Sequence, residues 1–234
     1  MGKTGRNRPV LKKSPNYGLD LKRDGPEIFV GEWAAHEDSA VRPWDAPAKK
    51  LAPTPTMKAA IGDAVFLAAM ERNADIIKMQ CYAPLFVNVN PGAAQWRPNL
   101  IGYDALSSYG SPSYYAIQMF SRNVGDELLA VTPLGTNTTD IQGSATRDSQ
   151  TGEIILKLVN PNLTPVALPI EIKGVTALKS KAAVITLSAN PEDTNSIRRP
   201  RNVVPVTTTI SGVKPGFTYT LPPHSIVVLK LKAR

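Results

Sequence analysis

The sequence predicts an α/β segment followed by an all-β segment. The first part follows the order strand, helix, strand, helix, which is the order of two consecutive βα units with a parallel sheet. From about Asp126 the chain contains short alternating segments separated by turn residues, which is typical of an antiparallel β-sandwich. With 234 residues and 42% hydrophobic content, the chain is long enough to bury a core in two domains.

The α/β elements are indicated by apolar runs and helix-start residues. EIFVG, beginning at Glu27, is a short continuous apolar run of the buried parallel type, and IIKMQCYA predicts the second strand. Between them, Thr54 and Pro55 offer a cap and a first-turn proline for the helix in TMKAAIGDAVFLAAMERNAD. After an irregular stretch, Ser111 and Pro112 begin the second helix, SYYAIQMFSRN. These four elements are the two predicted βα units.

The all-β part contains about seven candidate strands. Turn signals such as DSQTG and KPG separate them. Ile154, Leu156 and Leu158 alternate with other residues, as do Val227, Leu229 and Leu231, so we expect one buried face per strand. The candidate strands are ELLAVTP, DIQGSATR, EIILKLVNP, VALPIEIKG, AAVITLSA, VVPVTTTIS and SIVVLKLK.

The formal net charge of +8 is concentrated near the N-terminus. Residues 1–26 carry seven basic and two acidic residues, so they account for five of the eight net charges. This basic leader is either an arm for phosphate backbones or, as the simpler interpretation, a poorly ordered tail. Tyr17 is the only aromatic residue among these charges, so the stacking of a single-strand binder is missing and we expect no nucleic-acid partner.

Several other classes of site lack support in the sequence. One cysteine, Cys81, excludes an internal disulfide, and a chain with two histidines and no closely spaced ligand set predicts no metal site. We see no phosphate-binding glycine loop or nucleotide motif, so no cofactor is expected. The longest clean apolar run, AVFLAAM, is too short to span a bilayer, and the sequence given starts without a signal-peptide core. Cytoplasmic and secreted locations both remain open.

Glu32 is an acid at the end of a predicted buried strand. Ligands and catalytic groups of α/β proteins gather at the C-terminal ends of parallel strands, which favours a functional role. The alternative is a strand-exit residue that pairs with an arginine, and position alone does not separate the two. Glu37 and Asp38 fall in the loop beyond the strand.

Three long stretches carry a resemblance to a known family. They are IFVGEWAAHE, MKAAIGDAVFLAAMERNADIIKMQCYAPLFVNVN and QWRPNLIGYDALSSYGSPSYYAIQMFS. They resemble the end of the catalytic barrel of family 51 glycoside hydrolases, the α-L-arabinofuranosidases. The segments NPEDTNSIRRPRNVVPV and FTYTLPPHSIVVLKLK are similar to the β-sandwich that ends those enzymes. The resemblance implies the last two βα units of a (β/α)8 TIM barrel in residues 27–125, and a jelly-roll-like sandwich in residues 126–234.

The resemblance assigns a role to Glu32. The catalytic nucleophile of the family lies in a strand-ending G/S-E-Y/W motif, which corresponds here to Gly31, Glu32 and Trp33. Glu32 would form a glycosyl ester with a terminal arabinofuranose of arabinan or arabinoxylan, and water would release the sugar with retention. Trp33 would supply an apolar wall beside the carboxylate, or would pack in the core.

The next strand and its loop supply further candidates for sugar contacts. Tyr82, Asn88, Asn90 and Trp96 have the amides and aromatic faces that bind sugars. Tyr82 and Asn88 are equally compatible with satisfied polar groups at a strand end. His36 could reach the site from its loop, although an exposed histidine without a role is more common, and His224 is expected to be structural.

One part of the family pattern is missing from the sequence. A retaining glycosidase needs an acid/base carboxylate about 5 to 5.5 Å from the nucleophile. In family 51 this glutamate follows an asparagine on an earlier barrel strand, and no match to it occurs in this sequence. We therefore expect a C-terminal fragment of an arabinofuranosidase that is inactive by itself. The resemblance also implies that the full-length protein could form a homo-oligomer, as members of the family do. The alternative is a non-catalytic β-sandwich with weak carbohydrate or partner binding.

Overall fold

A computed structural model describes residues 23–37, 51–93, 97–132 and 140–234. Most of the predicted basic leader, residues 1–22, lies outside these ranges. Neither described helix is both long and apolar enough to cross a membrane. In chain order the elements are β1 (Ile28–Trp33), α1 (Met57–Arg72), β2 (Ile77–Tyr82), β3 (Phe86–Asn88), β4 (Ile101–Tyr103), β5 (Ser108–Gly110), α2 (Pro112–Arg122), β6 (Glu127–Leu129), β7 (Gln142–Arg147), β8 (Glu153–Asn160), β9 (Val166–Glu171), β10 (Lys181–Ser188), β11 (Val206–Ser211), β12 (Gly216–Leu221) and β13 (Ser225–Lys232).

The first two predicted strands form a parallel pair. β1 and β2 run side by side, from Ile28 opposite Ile77 to Trp33 opposite Tyr82, and α1 connects them. A parallel pair requires such a crossover because the chain must return to the same end of the sheet. The predicted parallel strand–helix–strand arrangement is therefore confirmed.

The start of α1 differs from the prediction. Thr54 and Pro55 do not begin the helix; Thr56 is its N-cap residue, and its side chain makes no capping hydrogen bond. The first two helical N–H groups, of Met57 and Lys58, donate instead to the carbonyl oxygens of Asp193 (2.8 Å) and Pro191 (2.9 Å). A distant loop thus satisfies the free donors of the helix, which local sequence could not reveal.

The second helix begins as predicted. The Ser111 Oγ atom accepts a hydrogen bond from the Tyr114 N–H at 3.2 Å, and Pro112 occupies the first turn. Between β2 and α2, the stretch predicted to be irregular contains a small sheet in which β3 and β4 are parallel and β4 and β5 are antiparallel. Its strands have three residues each, too few for an alternating pattern to be recognised.

The all-β part is an antiparallel sandwich, as predicted, with an unequal division of strands. Six strands form one sheet in the order β11-β10-β13-β8-β7-β6, and β12 pairs with β9 in the second. A jelly roll divides eight strands between two sheets more evenly, so the jelly-roll description fits only in part. The predicted set of about seven strands omitted β12.

The expectation of one buried face per strand is wrong for the centre of the large sheet. Every residue of β8 from Ile154 to Asn160 is buried, and so is nearly every residue of β13. Leu156 and Leu229 face the β9–β12 sheet, whereas Val159 and Val228 belong to a core that includes α1 and α2. The helices cover the second face, and this core crosses the predicted boundary between residues 125 and 126. The division of the chain into two domains at this boundary remains a prediction.

A buried ion pair joins α1 to the large sheet. The Lys157 Nζ atom on β8 contacts Glu71 Oε1 on α1, and the Lys157 side chain is fully buried. The Ser144 hydroxyl donates to the other Glu71 oxygen, and the Lys157 ammonium lies 5.1 Å from the Phe120 ring centroid. Arg72 adds a hydrogen bond to the Gly143 carbonyl oxygen at 2.6 Å. The C-terminal end of α1 is therefore held against β7 and β8 by polar contacts inside an apolar layer.

We predict that Glu71→Gln lowers the free energy of unfolding by about 3 kcal/mol, because it leaves the Lys157 ammonium buried without a counter-charge. The double variant Glu71→Leu/Lys157→Met should recover much of this loss, since it removes both charges. Urea denaturation measures both effects. The exposed pair of Arg147 and Glu127, 3.6 Å apart, supplies the control: Glu127→Gln should cost less than about 1 kcal/mol. Equal costs for Glu71→Gln and Glu127→Gln would contradict the prediction.

Candidate functional site

Glu32 lies on the exposed side of β1, next to its C-terminal end. Trp33 lies three positions after Val30 on β1, whereas their partners Gln80 and Tyr82 on β2 are two positions apart. The extra residue is a β-bulge, and bulges redirect the side chains that follow them. Because of it, Phe29 is 54% exposed and Trp33 only 9% exposed, although strict alternation would place both on one face. The bulge leaves Glu32 exposed beside a buried tryptophan.

Trp33 is packed on the opposite side, against α1 and β2. Its ring centroid lies 5.2 Å from that of Phe66 and 5.3 Å from that of Tyr82, and its Nε1 atom donates to Gln80 Oε1 at 2.5 Å. Its carbonyl oxygen accepts a hydrogen bond from the Ala83 N–H. This packing matches the alternative role of Trp33 as a core residue, one that supports the strand end on which Glu32 lies.

Tyr82 shares this strand end but is buried. It lies opposite Trp33 in the parallel pair, at the C-terminal end of β2. Burial and the nearby Asp63 carboxylate raise the pKa of its phenol, so the hydroxyl stays neutral. Within the described ranges this hydroxyl makes no hydrogen bond of good geometry. Of the predicted sugar contacts, Tyr82 is the one that the fold brings next to the Glu32–Trp33 segment.

The other predicted contacts are less closely tied to Glu32. Asn88 ends β3 opposite Tyr103, and its side-chain oxygen accepts a hydrogen bond from the backbone N–H of the exposed Asn90 at 3.0 Å. No hydrogen bond between described residues joins either asparagine to Glu32. Trp96 lies outside the described residues.

A buried carboxylate that the sequence analysis missed lies behind the strand end. Asp63 is fully buried in the middle of α1, and its Oδ1 atom accepts a hydrogen bond from the Ala35 N–H at 2.8 Å. Ser113 from the first turn of α2 lies near both the Asp63 carboxyl group and the Tyr82 phenol of β2, and we call these three residues the buried polar cluster. An acid between apolar residues on the buried face of the helix, in AAIGDAVFL, was the available signal.

The buried polar cluster has unusual electrostatics. Burial has the largest effect on Asp63 and raises its pKa from 3.8 to about 7. The Ser113 hydroxyl and the Ala35 N–H have the opposite effect on this pKa, because they favour the ionised form. Among described residues, the Asp63 Oδ2 atom and the Ser113 hydroxyl make no hydrogen bond of good geometry. The Ser113 hydroxyl is therefore near enough to favour the charge without being well aligned.

Glu37 is held in place rather than free in its loop. Its Oε2 atom lies 2.7 Å from Arg97 Nη2, both side chains are largely buried, and its Oε1 atom accepts from the Thr56 N–H at 2.5 Å. Arg97 also donates to the Thr54 carbonyl oxygen at 3.1 Å. This ion pair ties the segment after β1 to the start of α1 and to the chain that follows Trp96. Asp38 lies outside the described residues.

The two histidines play different parts. His36 is exposed beside the Glu37–Arg97 pair, and partial burial together with the Arg97 charge lowers its pKa. His224 is buried in the turn before β13 with a positive φ of 43°, and its backbone N–H donates to the Asn162 carbonyl oxygen at 2.7 Å. That position fits the structural role predicted for His224.

In the described part of the chain no group of three or more acidic, histidine or cysteine side chains is placed to hold a metal ion.

The raised pKa of Asp63 predicts a pH-dependent stability. Between about pH 4 and pH 7 the folded chain keeps a proton that the unfolded chain has released, so stability falls as the pH rises through this range. The Asp63→Asn side chain cannot ionise, so the free energy of unfolding of this variant should fall less between pH 4 and pH 7 than that of the unaltered chain. The difference between the two falls should be at most about 4 kcal/mol. Denaturation with urea at pH 4 and pH 7 tests this. Asp75→Asn, which alters an exposed acid paired with Arg23, is the control. The prediction is contradicted if the stability of Asp63→Asn falls between pH 4 and pH 7 as much as that of the unaltered chain.

The family model and the curated relatives point to the same family. The sequence model of the family described as α-L-arabinofuranosidase C-terminal domain matches residues 31–225. The chain is 33% identical to α-L-arabinofuranosidase 2 of Arabidopsis thaliana, over 93% of this chain and 31% of that protein. It is 32% identical to α-L-arabinofuranosidase A of Aspergillus kawachii, over 92% of this chain and 31% of that protein.

Solved structures of arabinofuranosidases share the fold. The arabinose-bound MgGH51 α-L-arabinofuranosidase has a TM-score of 0.83 and 31% identity, covering 94% of this chain and 34% of that one. The Thermotoga maritima α-L-arabinofuranosidase in complex with arabinose has a TM-score of 0.68 at 17% identity, covering 88% of this chain and 43% of that one. The chain spans about a third of the length of its curated relatives. Since the domain match covers most of its length, the chain belongs to the α-L-arabinofuranosidase family, glycoside hydrolase family 51.

Proposed function

We propose that this chain supplies the nucleophile-bearing part of a retaining α-L-arabinofuranosidase, with Glu32 as the nucleophile. The observation that carries the proposal is the exposed carboxylate at the bulged end of β1, above a strand end braced by Trp33 and Tyr82. Its substrates would be terminal arabinofuranosyl residues of arabinan or arabinoxylan. A relative 31% identical to this chain binds arabinose, which supports the choice of sugar.

The exposed face of the β1–β2 pair supports a place in a larger barrel. Phe29 and Met79 are 54% and 60% exposed on neighbouring strands, and within the described residues the two strands pair only with each other. Unprotected strand edges and large contiguous apolar patches are uncommon in stable monomers, and Phe29 and Met79 are paired side by side. Six further βα units would cover both, so we interpret residues 27–125 as the last two units of a (β/α)8 barrel and residues 126–234 as the sandwich that follows.

The sugar-contacting residues are proposed with the same reasoning. Tyr82 lies at the end of the strand next to β1, and Asn88, Asn90 and Trp96 follow it in the chain, on the loop side where barrel enzymes bind their substrates. Amide groups and aromatic faces suit hydroxyl groups and sugar rings. No second carboxylate of the described strand end is available as acid/base: Glu37 is paired with Arg97, and Asp63 is enclosed behind the strand.

We predict that the purified 234-residue chain releases no arabinose from an aryl arabinofuranoside at an enzymatic rate. Hydrolysis with retention needs a proton donor beside the leaving group as well as a nucleophile, and the described strand end presents only Glu32. Release of the aryl group is followed by absorbance. Turnover that disappears in Glu32→Ala would contradict this prediction and would mean that the chain contains its own acid/base residue.

Restoring the barrel should reveal the role of Glu32. We expect a chimera of residues 27–234 with the upstream part of a related arabinofuranosidase to be active, and Glu32→Gln to lower its turnover by roughly three orders of magnitude or more, because the amide cannot form the ester intermediate. Azide should rescue Glu32→Ala and yield an arabinosyl azide of inverted configuration.

Glu27→Gln is the matched control for this experiment, because Glu27 is an exposed acid immediately before the N-terminal end of β1. It should leave turnover unchanged. Full activity of Glu32→Gln, or azide rescue that requires replacement of another acid, would assign the nucleophile elsewhere.

A further inference from the structure

Asp63 makes a hydrogen bond that the β1–β2 pair cannot provide. The last residues paired between the two strands are Trp33 and Tyr82, and Ala35 lies two residues beyond that pair. The sheet therefore offers the Ala35 N–H no partner, and Asp63 Oδ1 accepts its hydrogen bond at 2.8 Å from the interior of α1. Ala35 is the third residue after Glu32, so this contact acts on the backbone that leaves the proposed nucleophile.

The helix that carries Asp63 is well anchored at both ends. The carbonyl oxygens of Asp193 and Pro191 accept hydrogen bonds from its first turn, and Glu71 and Arg72 bind β8 and β7 at its last. A group fixed on such a helix is a firm reference point for a neighbouring segment. The bond from Asp63 therefore transfers the rigidity of α1 to the chain after β1.

A carboxylate is an expensive choice at this position. The neighbouring buried residues of α1 are apolar, and a buried acid without a counter-charge is strongly unfavourable on general grounds. Among the described residues no cation acts on the Asp63 carboxyl group. It accepts from the Ala35 N–H, the Ser113 hydroxyl of α2 lies near it, and Tyr82 and the acid Glu37 are close enough for their charges to interact with it. Stability alone would favour an apolar residue here, so the acceptor oxygen is the feature to be explained.

We propose that Asp63 is a positioning residue that orients the Glu32 nucleophile by holding the Ala35 amide group. The assignment rests on the proposed function of Glu32. Loss of the acceptor frees the backbone at the bulged strand end, where a displacement of about 1 Å can cost a hundredfold in rate. Asparagine keeps an acceptor oxygen in the same place, whereas alanine does not.

The first test measures the Ala35 amide group in the 234-residue chain by NMR. Its 15N chemical shift should titrate with the Asp63 carboxyl group, since the ionised carboxylate is the stronger acceptor, and the titration should be absent in Asp63→Asn. Hydrogen exchange of this amide should be at least about tenfold faster in Asp63→Ala. The proposal is overturned if the Ala35 shift does not titrate, or if it titrates equally in Asp63→Asn.

The second test measures turnover in the chimera described above. Asp63→Ala should lower kcat by about tenfold or more with little change in KM, and Asp63→Asn should restore most of the rate. Ala68→Gly is the control, because it destabilises the same helix without removing any of the polar contacts that anchor it, and its folded fraction should keep full kcat. Equal losses in Asp63→Ala and Ala68→Gly would assign Asp63 a structural role only.

The two proposals fail in distinguishable ways. If Glu32→Gln remains active, the assigned nucleophile is wrong, whatever Asp63 does. If Glu32→Gln is inactive while Asp63→Ala keeps the full kcat, Glu32 stands and the positioning role of Asp63 is overturned. If Asp63→Ala fails to fold, the Ala35 titration and its absence in Asp63→Asn still decide the matter.

Discussion

The rest of the structure depends on the packing of α1 between two sheets. One side of this helix contacts Trp33 through Phe66, and another packs with α2 against the large sheet. Its alanines and Gly62 allow close approach on several sides, which larger residues would prevent. Since almost no part of α1 faces solvent, every polar group on it needs a specific partner, and these partners determine how the two parts of the chain meet.

The polar groups at the two ends and in the middle of α1 bind different parts of the chain. At the C-terminal end Glu71 binds Lys157 and Ser144, which attaches the helix to the sandwich. At the N-terminal end the loop containing Asp193 satisfies the first amides, and Glu37 binds the Thr56 N–H. In the middle Asp63 reaches towards the proposed catalytic strand. The large sheet and the chain after Glu32 therefore both contact α1, although they belong to different parts of the chain.

The candidate site separates residues that local sequence can point to from residues that it cannot. Glu32 could be proposed from the sequence because a strand end and a three-residue motif are local features. Asp63 was overlooked although it interrupts an apolar helix face, because its partner Ala35 is 28 residues away and lies beyond the end of a strand. Glu37 was placed in a loop, whereas its pairing with Arg97 spans a stretch of chain that no local pattern connects.

The sequence by itself determined the family, the parallel order of the first elements, the Ser111 cap and the antiparallel nature of the second half. These depend on residue types at short spacing, where the periods of strands and helices and the chemistry of caps act directly. The tertiary structure alone decided that both faces of β8 are buried, that distant carbonyl groups cap α1, and that a bulge exposes Glu32. These features depend on which surfaces meet, because burial and hydrogen bonding between remote segments arise only when the chain is packed.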